Sequence, residues 1–311
     1  MFVIYNFFLF LLLLISPFIL IIRIFLGKED RNRFKEKYGF LAKNNGPNQT
    51  IWIHGASVGE ILSIIPIVKR FEKEKKIKRI LITSSTSSSW HILSKFKFKK
   101  TVHQFYPFDL NFLTKHFINH WKPKLAIFVD SEIWPNMFNN LHKKNIPLIL
   151  LNARITRKSF NRWKFFPNFS KKIFEKITLA LPQNIESKKY LKLLGTKKIK
   201  LLGNLKFFGG LQKDNVNLIL KKKFSKKVIF CAASTHRTEE LFVGKVHKEL
   251  KSEIKNLITI IIPRHINRKK EIINELNSIG LNSQLHTSSK KLYKNTDIYI
   301  VDTYGESAKF Y

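Results

Sequence analysis

Ile51-Trp-Ile-His-Gly-Ala-Ser-Val-Gly-Glu60 reads as a short apolar strand, a turn bracketed by two glycines, and the opening of a helix. Ile61, Leu62, Ile64, Ile65 and Val68 follow at helical spacing. Glu60 is therefore expected at a strand-to-helix junction, where the first backbone N–H groups of a helix lack intrahelical partners. Gly55 and Gly59 allow a ligand to approach the backbone closely. In an open α/β sheet such a junction lies at the carboxyl ends of the strands, where ligands bind. Two readings of Glu60 stand at this point: a general base, or a carboxylate that complements the helix dipole.

Outward from this stretch, short β-rich runs alternate with helical patterns. The strand candidates are Ile51–His54, Ile80–Thr83, Val102–Tyr106, Leu125–Val129, Leu148–Asn152 and Thr178–Leu181. A second series follows at Val228–Ala233, Leu257–Ile262 and Ile298–Val301, with a fourth run near Leu281–Leu285. Strands alternating with helices predict parallel sheets covered by helices. A domain boundary is expected between residues 207 and 222. The second series is short for a doubly wound domain, which usually has five or six strands, so that domain is expected to be incomplete.

The 311 residues suggest about two domains. The net charge of +36 favours anionic partners. The positive residues are spread along the chain, and Lys, Ile, Asn and Phe are abundant together, so the charge permits anion binding without naming a ligand. Cys231 is the single cysteine, which excludes an internal disulfide and a cysteine-rich zinc site. The histidines show no His-Glu-x-x-His spacing, and no metal is assigned. There is no Walker loop, no Gly-x-Ser-x-Gly elbow, and no RNA-binding aromatic signature or zinc finger. A nucleic-acid-binding module has only the net charge in its favour.

Phe2 to Ile22 carries no charged residue, about the length that crosses a bilayer. No basic residue precedes it. Arg23, Lys28, Arg31, Arg33, Lys35 and Lys37 follow it, which places the remaining chain in the cytoplasm. These cations are expected to lie against anionic headgroups. Residues 1–26 are read as a membrane anchor that either spans the bilayer or embeds in one leaflet.

Polar clusters stand after most of the strands. Asp130-Ser-Glu-Ile-Trp-Pro135 follows Leu125–Val129; Glu132 is either a functional carboxylate or a helix cap, and Pro135 permits a helix start. Thr83-Ser-Ser-Thr-Ser-Ser-Ser89 reads as sugar-binding hydroxyls or as a turn with a helix cap. Asn152-Ala-Arg154 offers an anion contact. Lys206, after Gly203-Asn-Leu205, offers a cation for a leaving phosphate or is simply solvated. Ser234-Thr-His236, Pro263-Arg-His265 and Asp302-Thr-Tyr-Gly-Glu306 end three strands of the second series, which points to one ligand crevice. The planar fork of Arg264 suits a phosphate or carboxylate.

The clusters Gly55-Ala-Ser-Val-Gly-Glu60, Ser131-Glu-Ile-Trp-Pro-Asn136, Asn152-Ala-Arg154, Gly203-Asn-Leu-Lys206, Ser234-Thr-His236, Pro263-Arg-His265 and Asp302-Thr-Tyr-Gly-Glu306, in this order behind an apolar N-terminus, resemble the bacterial 3-deoxy-D-manno-octulosonic acid (Kdo) transferase family. The resemblance implies two Rossmann-like domains of GT-B type facing a cleft: residues 27–210 for the acceptor and 211–311 for the CMP-sugar. It implies an inverting, metal-independent transfer of Kdo from CMP-Kdo to the 6′-hydroxyl of a lipid A precursor at the cytoplasmic face of the inner membrane, with no cofactor and no nucleic acid. It makes Glu60 the general base and Glu132 and Lys206 the transition-state stabilisers. It puts Ser57, Gly59 and Arg154 on the acceptor side. Ser234, His236, Pro263, Arg264, Tyr304, Gly305 and Glu306 become donor contacts. The chain departs from the family pattern at Phe208, Arg237, Thr238 and Ser307. Family members continue beyond the length seen here. Another GT-B nucleotide-sugar transferase, or an inactive fragment, is the alternative reading.

Overall fold

The computed structural model describes residues 1–27, 29–43, 50–205, 218–289, 291–303 and 310. The chain divides into two compact units, Met1–Gly209 and Gly210–Tyr311. Lys206, Tyr304, Gly305 and Glu306, and most of the expected boundary at 207–222, lie outside the described residues.

The first unit opens with α1 (Phe2–Phe25) and a 3₁₀ turn, Phe34–Tyr38. Six strands follow: β1 (Thr50–His54), β2 (Arg79–Ser84), β3 (Thr101–Phe105), β4 (Pro123–Val129), β5 (Leu148–Ala153) and β6 (Leu179–Pro182). Between and after them run α2 (Val58–Lys73), α3 (Ser87–Ser94), α4 (Asn111–Trp121), α5 (Pro135–Lys143), α6 (Arg157–Lys164), α7 (Pro167–Phe174) and α8 (Ile185–Leu194). The strands pair in parallel in the order β3-β2-β1-β4-β5-β6. Parallel strands are covered on both faces and so read as apolar runs, which is why each expected strand occurs within two residues of its expected bounds. Successive side chains alternate between faces. Trp52 packs with Phe117, Phe128 and Phe138 on one side, and Ile53 packs with Ile61, Ile64 and Val129 on the other.

Helix α1 is fastened along one stripe. Tyr5 donates to Asp109 (2.9 Å), and Asn136 Nδ2 donates to Asn6 Oδ1 (2.8 Å). Phe2 meets the ring of Phe169 at 5.1 Å. Further along, Pro17 lacks the N–H that would bond the Leu13 carbonyl, and the Ser16 hydroxyl donates to that carbonyl instead (2.7 Å). Tyr38 then donates to Ser16 Oγ at 2.8 Å. At the far end Arg23 pairs with Glu29. The residues between these contacts, including Ile4, Phe8, Leu12, Ile15, Phe18 and Ile22, are exposed.

The basic segment after α1 departs from expectation. Arg33 pairs with Glu36, donates to the His103 carbonyl and lies over the ring of Trp90. Lys37 is buried against Glu29 (2.7 Å). Glu36 also accepts the Phe105 N–H at 2.7 Å. These bonds close off β3, an edge strand whose outer backbone groups no other strand pairs. Arg33 and Lys37 are therefore structural, Arg23 is tied to Glu29, and only Arg31 and Lys35 stand exposed among the described cations of that run.

The second unit holds α9 (Leu218–Lys223), β7 (Val228–Thr235), α10 (Glu239–Glu253), β8 (Leu257–Pro263), α11 (Lys269–Ser278), β9 (Ser283–Leu285) and β10 (Ile298–Ile300). Its strands are parallel in the order β7-β8-β10-β9. Gly244 lets α10 close on α11, since a Cβ there would lie 2.7 Å from Leu276 Cδ2.

Candidate active site

The first sheet runs outward in both directions from the β1–β4 pair. That pair is its topological switch point, the usual place for a ligand crevice in an open α/β sheet. The end of β1 delivers His54 and, through the glycine turn, Glu60. The end of β4 delivers Asp130 and Glu132.

Glu60 occupies the third position of α2, and Ser57 is its N-cap. The Glu60 carboxylate accepts from the Ala56 N–H (2.7 Å) and from the Ser57 hydroxyl (2.9 Å). This is a variant of the capping box, in which a Glu three residues after a Ser reaches back to the chain ahead of the helix. The helix-start reading of Glu60 is seen directly in these bonds. The hydrogen bonds of the cap hold the carboxylate still, and its environment makes it basic. Burial raises the Glu60 carboxyl above its ordinary range, and the negative charge of Glu132 raises it further. The bonds from Ser57 and Ala56 pull the other way without reversing the shift. Gly59 is exposed, and a Cβ there would meet nothing within 4 Å, so the space beside Glu60 is open.

Glu132 does not cap α5. Asp109 does so, accepting from the N–H groups of Asn136 (2.9 Å) and Met137 (2.8 Å). Glu132 Oε2 instead faces His54 Nε2 (3.2 Å) and accepts from Trp134 Nε1 (2.9 Å). Burial alone would raise this carboxyl; the hydrogen bond and charge of His54 and the bond from Trp134 outweigh it and leave it below the ordinary range.

His54 is fully buried between Tyr106 (ring centroids 4.1 Å apart) and Phe128 (5.1 Å). Its Nδ1 lies 2.9 Å from Thr83 Oγ1, which also accepts from Trp52 Nε1 at 2.9 Å. The indole can only donate, and a carboxylate can only accept. The two ends of the chain of bonds are therefore directed: Trp52 Nε1–H donates to Thr83 Oγ1 and His54 Nε2–H donates to Glu132, with Thr83 Oγ1 and His54 Nδ1 hydrogen-bonded between them. The histidine fixes the orientation of Glu132 from inside the sheet. His54 has no metal-ligand spacing in the sequence; its signal there is its position as the last strand residue before the glycine turn.

Two carboxyl groups in mutual range have thus been driven apart, one up and one down, the pattern that separates an acid–base group from an ionised partner. In a ¹³C titration of side-chain carboxyls, Glu60 is expected to titrate above the ordinary value of about 4.3, and Glu132→Gln to bring it down. An unmoved Glu60 in that variant would show the two carboxyls to be uncoupled.

The other strand ends complete the first unit's site. Asn152 takes a left-handed conformation (φ 52°) where the β5 register slips, and its Oδ1 accepts the Leu205 N–H at 3.0 Å. Its role is to anchor the chain one residue before position 206. Leu205 packs in the same cluster as Ile61, the neighbour of Glu60. Arg154 is exposed, with its backbone bonded to the Asp130 carbonyl (3.2 Å). The hydroxyl run resolves as a cap: Thr86 accepts from the Ser89 N–H, and Ser89 braces the Ala56 carbonyl at 3.2 Å.

In the second unit β7, β8 and β10 are neighbours, so Ser234-Thr-His236, Pro263-Arg-His265 and, of the third cluster, Asp302 and Thr303 follow adjacent strands. Ser234 (φ 59°), His236 and Arg264 are exposed there, and the rings of His236 and His265 are 6.2 Å apart. Pro263 closes β8 and is buried. Arg237 pairs with Glu271, and Asp302 accepts from Lys269 and Thr287.

A family model described as 3-deoxy-D-manno-octulosonic-acid transferase (kdotransferase) matches residues 32–208. A 3-deoxy-D-manno-octulosonic acid transferase of Rickettsia bellii is 35% identical over 310 residues, covering 99% of this chain and 74% of the relative. The Rickettsia prowazekii enzyme of that name is 33% identical, with 84% of this chain and 57% of the relative aligned. That of Haemophilus influenzae is 30% identical, with 90% and 67% covered. Among solved structures, a UDP-GlcNAc 2-epimerase from Neisseria meningitidis superposes with a TM-score of 0.57 over 84% of this chain and 74% of its own, at 14% identity. That likeness is one of fold.

Proposed function

The chain belongs to the 3-deoxy-D-manno-octulosonic acid (Kdo) transferase family, and from that premise we propose that it transfers Kdo from CMP-Kdo to the 6′-hydroxyl of a lipid A precursor, releasing CMP, in lipopolysaccharide biosynthesis. The observation that carries the mechanism is Glu60. It is a carboxylate immobilised by two hydrogen bonds, with its basicity raised, beside open space at the β1–β4 switch point. Glu60 takes the proton of the acceptor hydroxyl. The acceptor oxygen forms its bond to the anomeric carbon of Kdo from the face opposite CMP, and the bond to the CMP phosphate breaks with its electron pair leaving on the phosphate. Inversion follows from that single displacement.

Glu132, kept ionised by His54 and Trp134, stabilises positive charge developing on the sugar. Lys206, by family resemblance, offsets charge on the phosphate. Ser57, Gly59 and Arg154 line the acceptor side. Ser234, His236, Pro263 and Arg264, with Tyr304, Gly305 and Glu306, take the donor; the fork of Arg264 suits its phosphate or carboxylate.

Helix α1 is long and apolar enough to cross a membrane. Its first turn, its middle and its last turn are all bonded within the first unit. A 24-residue helix is roughly 36 Å long, against a hydrocarbon core of about 30 Å. If α1 crossed, the part of the folded unit around Asp109 and Phe169 would be carried to the opposite face. We therefore read α1 as embedded in one leaflet of the inner membrane, with the protein on its cytoplasmic face. Its first turn contacts Asp109 and Asn136, four residues from Glu132, which brings a membrane-borne acceptor close to the carboxylates.

The test is direct. The purified chain, in anionic vesicles with a lipid A precursor and CMP-Kdo, should release CMP and add the mass of Kdo to the acceptor. CMP should raise its melting temperature, and UDP and GDP should not. Stabilisation by UDP or GDP alone would overturn the donor assignment.

A further inference from the structure

The geometry points to a second bilayer-docking element beside α1: the corner between α6 and α7. Residues Arg157-Lys-Ser-Phe-Asn-Arg-Trp-Lys-Phe-Phe-Pro-Asn-Phe169 form it. Helix α6 buries none of its residues, yet it lies on a unit with a large aromatic core. Phe165 is 78% exposed and Phe166 44%, and their rings meet edge to face at 5.0 Å. Two large apolar side chains side by side at a corner are an unfavourable exposure in water, since burying a Phe side chain is worth about 1.5–3 kcal/mol.

Three observations commit the corner to a lipid bilayer. First, it is continuous with α1. Phe169, at the start of α7, touches both Phe2 and Tyr5 of α1, and Trp163 of α6 lies against the same ring. The exposed phenylalanine pair thus stands three and four residues before Phe169, whose ring meets the first turn of α1. Second, its charge suits anionic headgroups. Arg157, Lys158, Arg162 and Lys164 are all exposed on α6. A hollow behind the corner is lined by Lys164, Lys171, Lys189 and Lys192. Cations near an anionic surface contribute about 1 kcal/mol each. They supply the headgroup contacts that Arg33 and Lys37, turned inward, do not. Third, the corner is built to hold its shape. Pro167 begins α7, and the Ser170 hydroxyl donates to the carbonyls of Trp163 and Phe166. Aromatic rings on a fixed corner with basic flanks match the interfacial mode of membrane binding, in which apolar groups enter the headgroup boundary without crossing it. Helix α6 also follows β5 at the carboxyl edge of the sheet, the edge that carries Glu60.

This inference rests on α1 lying in the membrane, and its test separates the two. In a Cys231→Ser background, single cysteines at Phe165→Cys, Phe8→Cys and Lys76→Cys carry an environment-sensitive fluorophore. The full chain is mixed with phosphatidylcholine vesicles containing about one-third phosphatidylglycerol and a shallow spin-labelled lipid, with no acceptor present. Both the position-8 and position-165 probes should shift to the blue and be quenched, and the position-76 probe should stay unchanged. Replacing Arg162 and Lys164 with Gln should weaken quenching at position 165 several-fold and spare position 8. Quenching at 8 without quenching at 165 overturns the corner and leaves α1 in place. No quenching at either position overturns the membrane reading itself. Quenching at 165 only when the lipid A precursor is added would make the corner an acceptor site and overturn its assignment to the bilayer.

Discussion

Glu60→Gln is expected to collapse the rate of Kdo transfer while leaving the fold intact. A positioned general base contributes about 10²–10⁴-fold, and an amide cannot take the acceptor proton, so transfer should fall by about that factor. The substitution also separates catalysis from capping. The amide oxygen of Gln can still accept the Ala56 N–H, and its NH₂ can donate to Ser57 Oγ, so both bonds of the cap have replacements. Loss of a negative charge at a helix start costs about 0.3–1 kcal/mol. The same loss removes the repulsion from Glu132 that raises the Glu60 carboxyl. The melting temperature should therefore stay near that of the parent while the rate collapses. Full activity in this variant would remove Glu60 from the role of base. A large fall in melting temperature would return it to the cap alone.

The part of this site that the sequence discloses is the part whose partners are near in the chain. Ser57 and Glu60 are three residues apart and announce a helix start. The strands announce themselves because a parallel sheet is buried on both faces. The remainder depends on pairing across the fold. His54 acts through Glu132, 78 residues away, and Thr83, 29 away. Nothing local to any of the three marks the relay. Glu132 invites reading as a helix cap because a proline follows it. Asp109, 27 residues upstream of Asn136, already holds that helix end, which leaves Glu132 available to His54. Charge misleads in the same way. Arg33 and Lys37 look like headgroup contacts in the chain and are consumed in closing an edge strand, while exposed cations sit in α6, far from α1 in sequence and linked to it through Trp163 and Phe169.

Trp52→Ala is expected to be the most damaging change to the stability of the first unit. Trp52 sits on β1 between β2 and β4, with no exposed surface. Its ring centroid lies 4.9 Å from Phe117, 5.0 Å from Phe128 and 6.2 Å from Tyr106. Truncating a buried Trp removes its transfer free energy and leaves a cavity, together about 3–5 kcal/mol. For a unit of this size that is roughly 6–20 °C in melting temperature, followed by near-UV circular dichroism. Trp52→Phe divides the effect. The Phe ring keeps most of the packing, while Thr83 Oγ1 loses the indole donor, a loss of about 1 kcal/mol. The Thr83 hydroxyl then keeps only its bond to His54, and His54 in turn orients Glu132. Trp52→Phe should therefore melt close to the parent and still reduce transfer, because the first link of the relay that fixes Glu132 is gone. If Trp52→Phe is fully active, Glu132 is positioned by His54 and Trp134 without help from the core. If Trp52→Ala melts with the parent, the indole does not bear on the packing of the sheet at all.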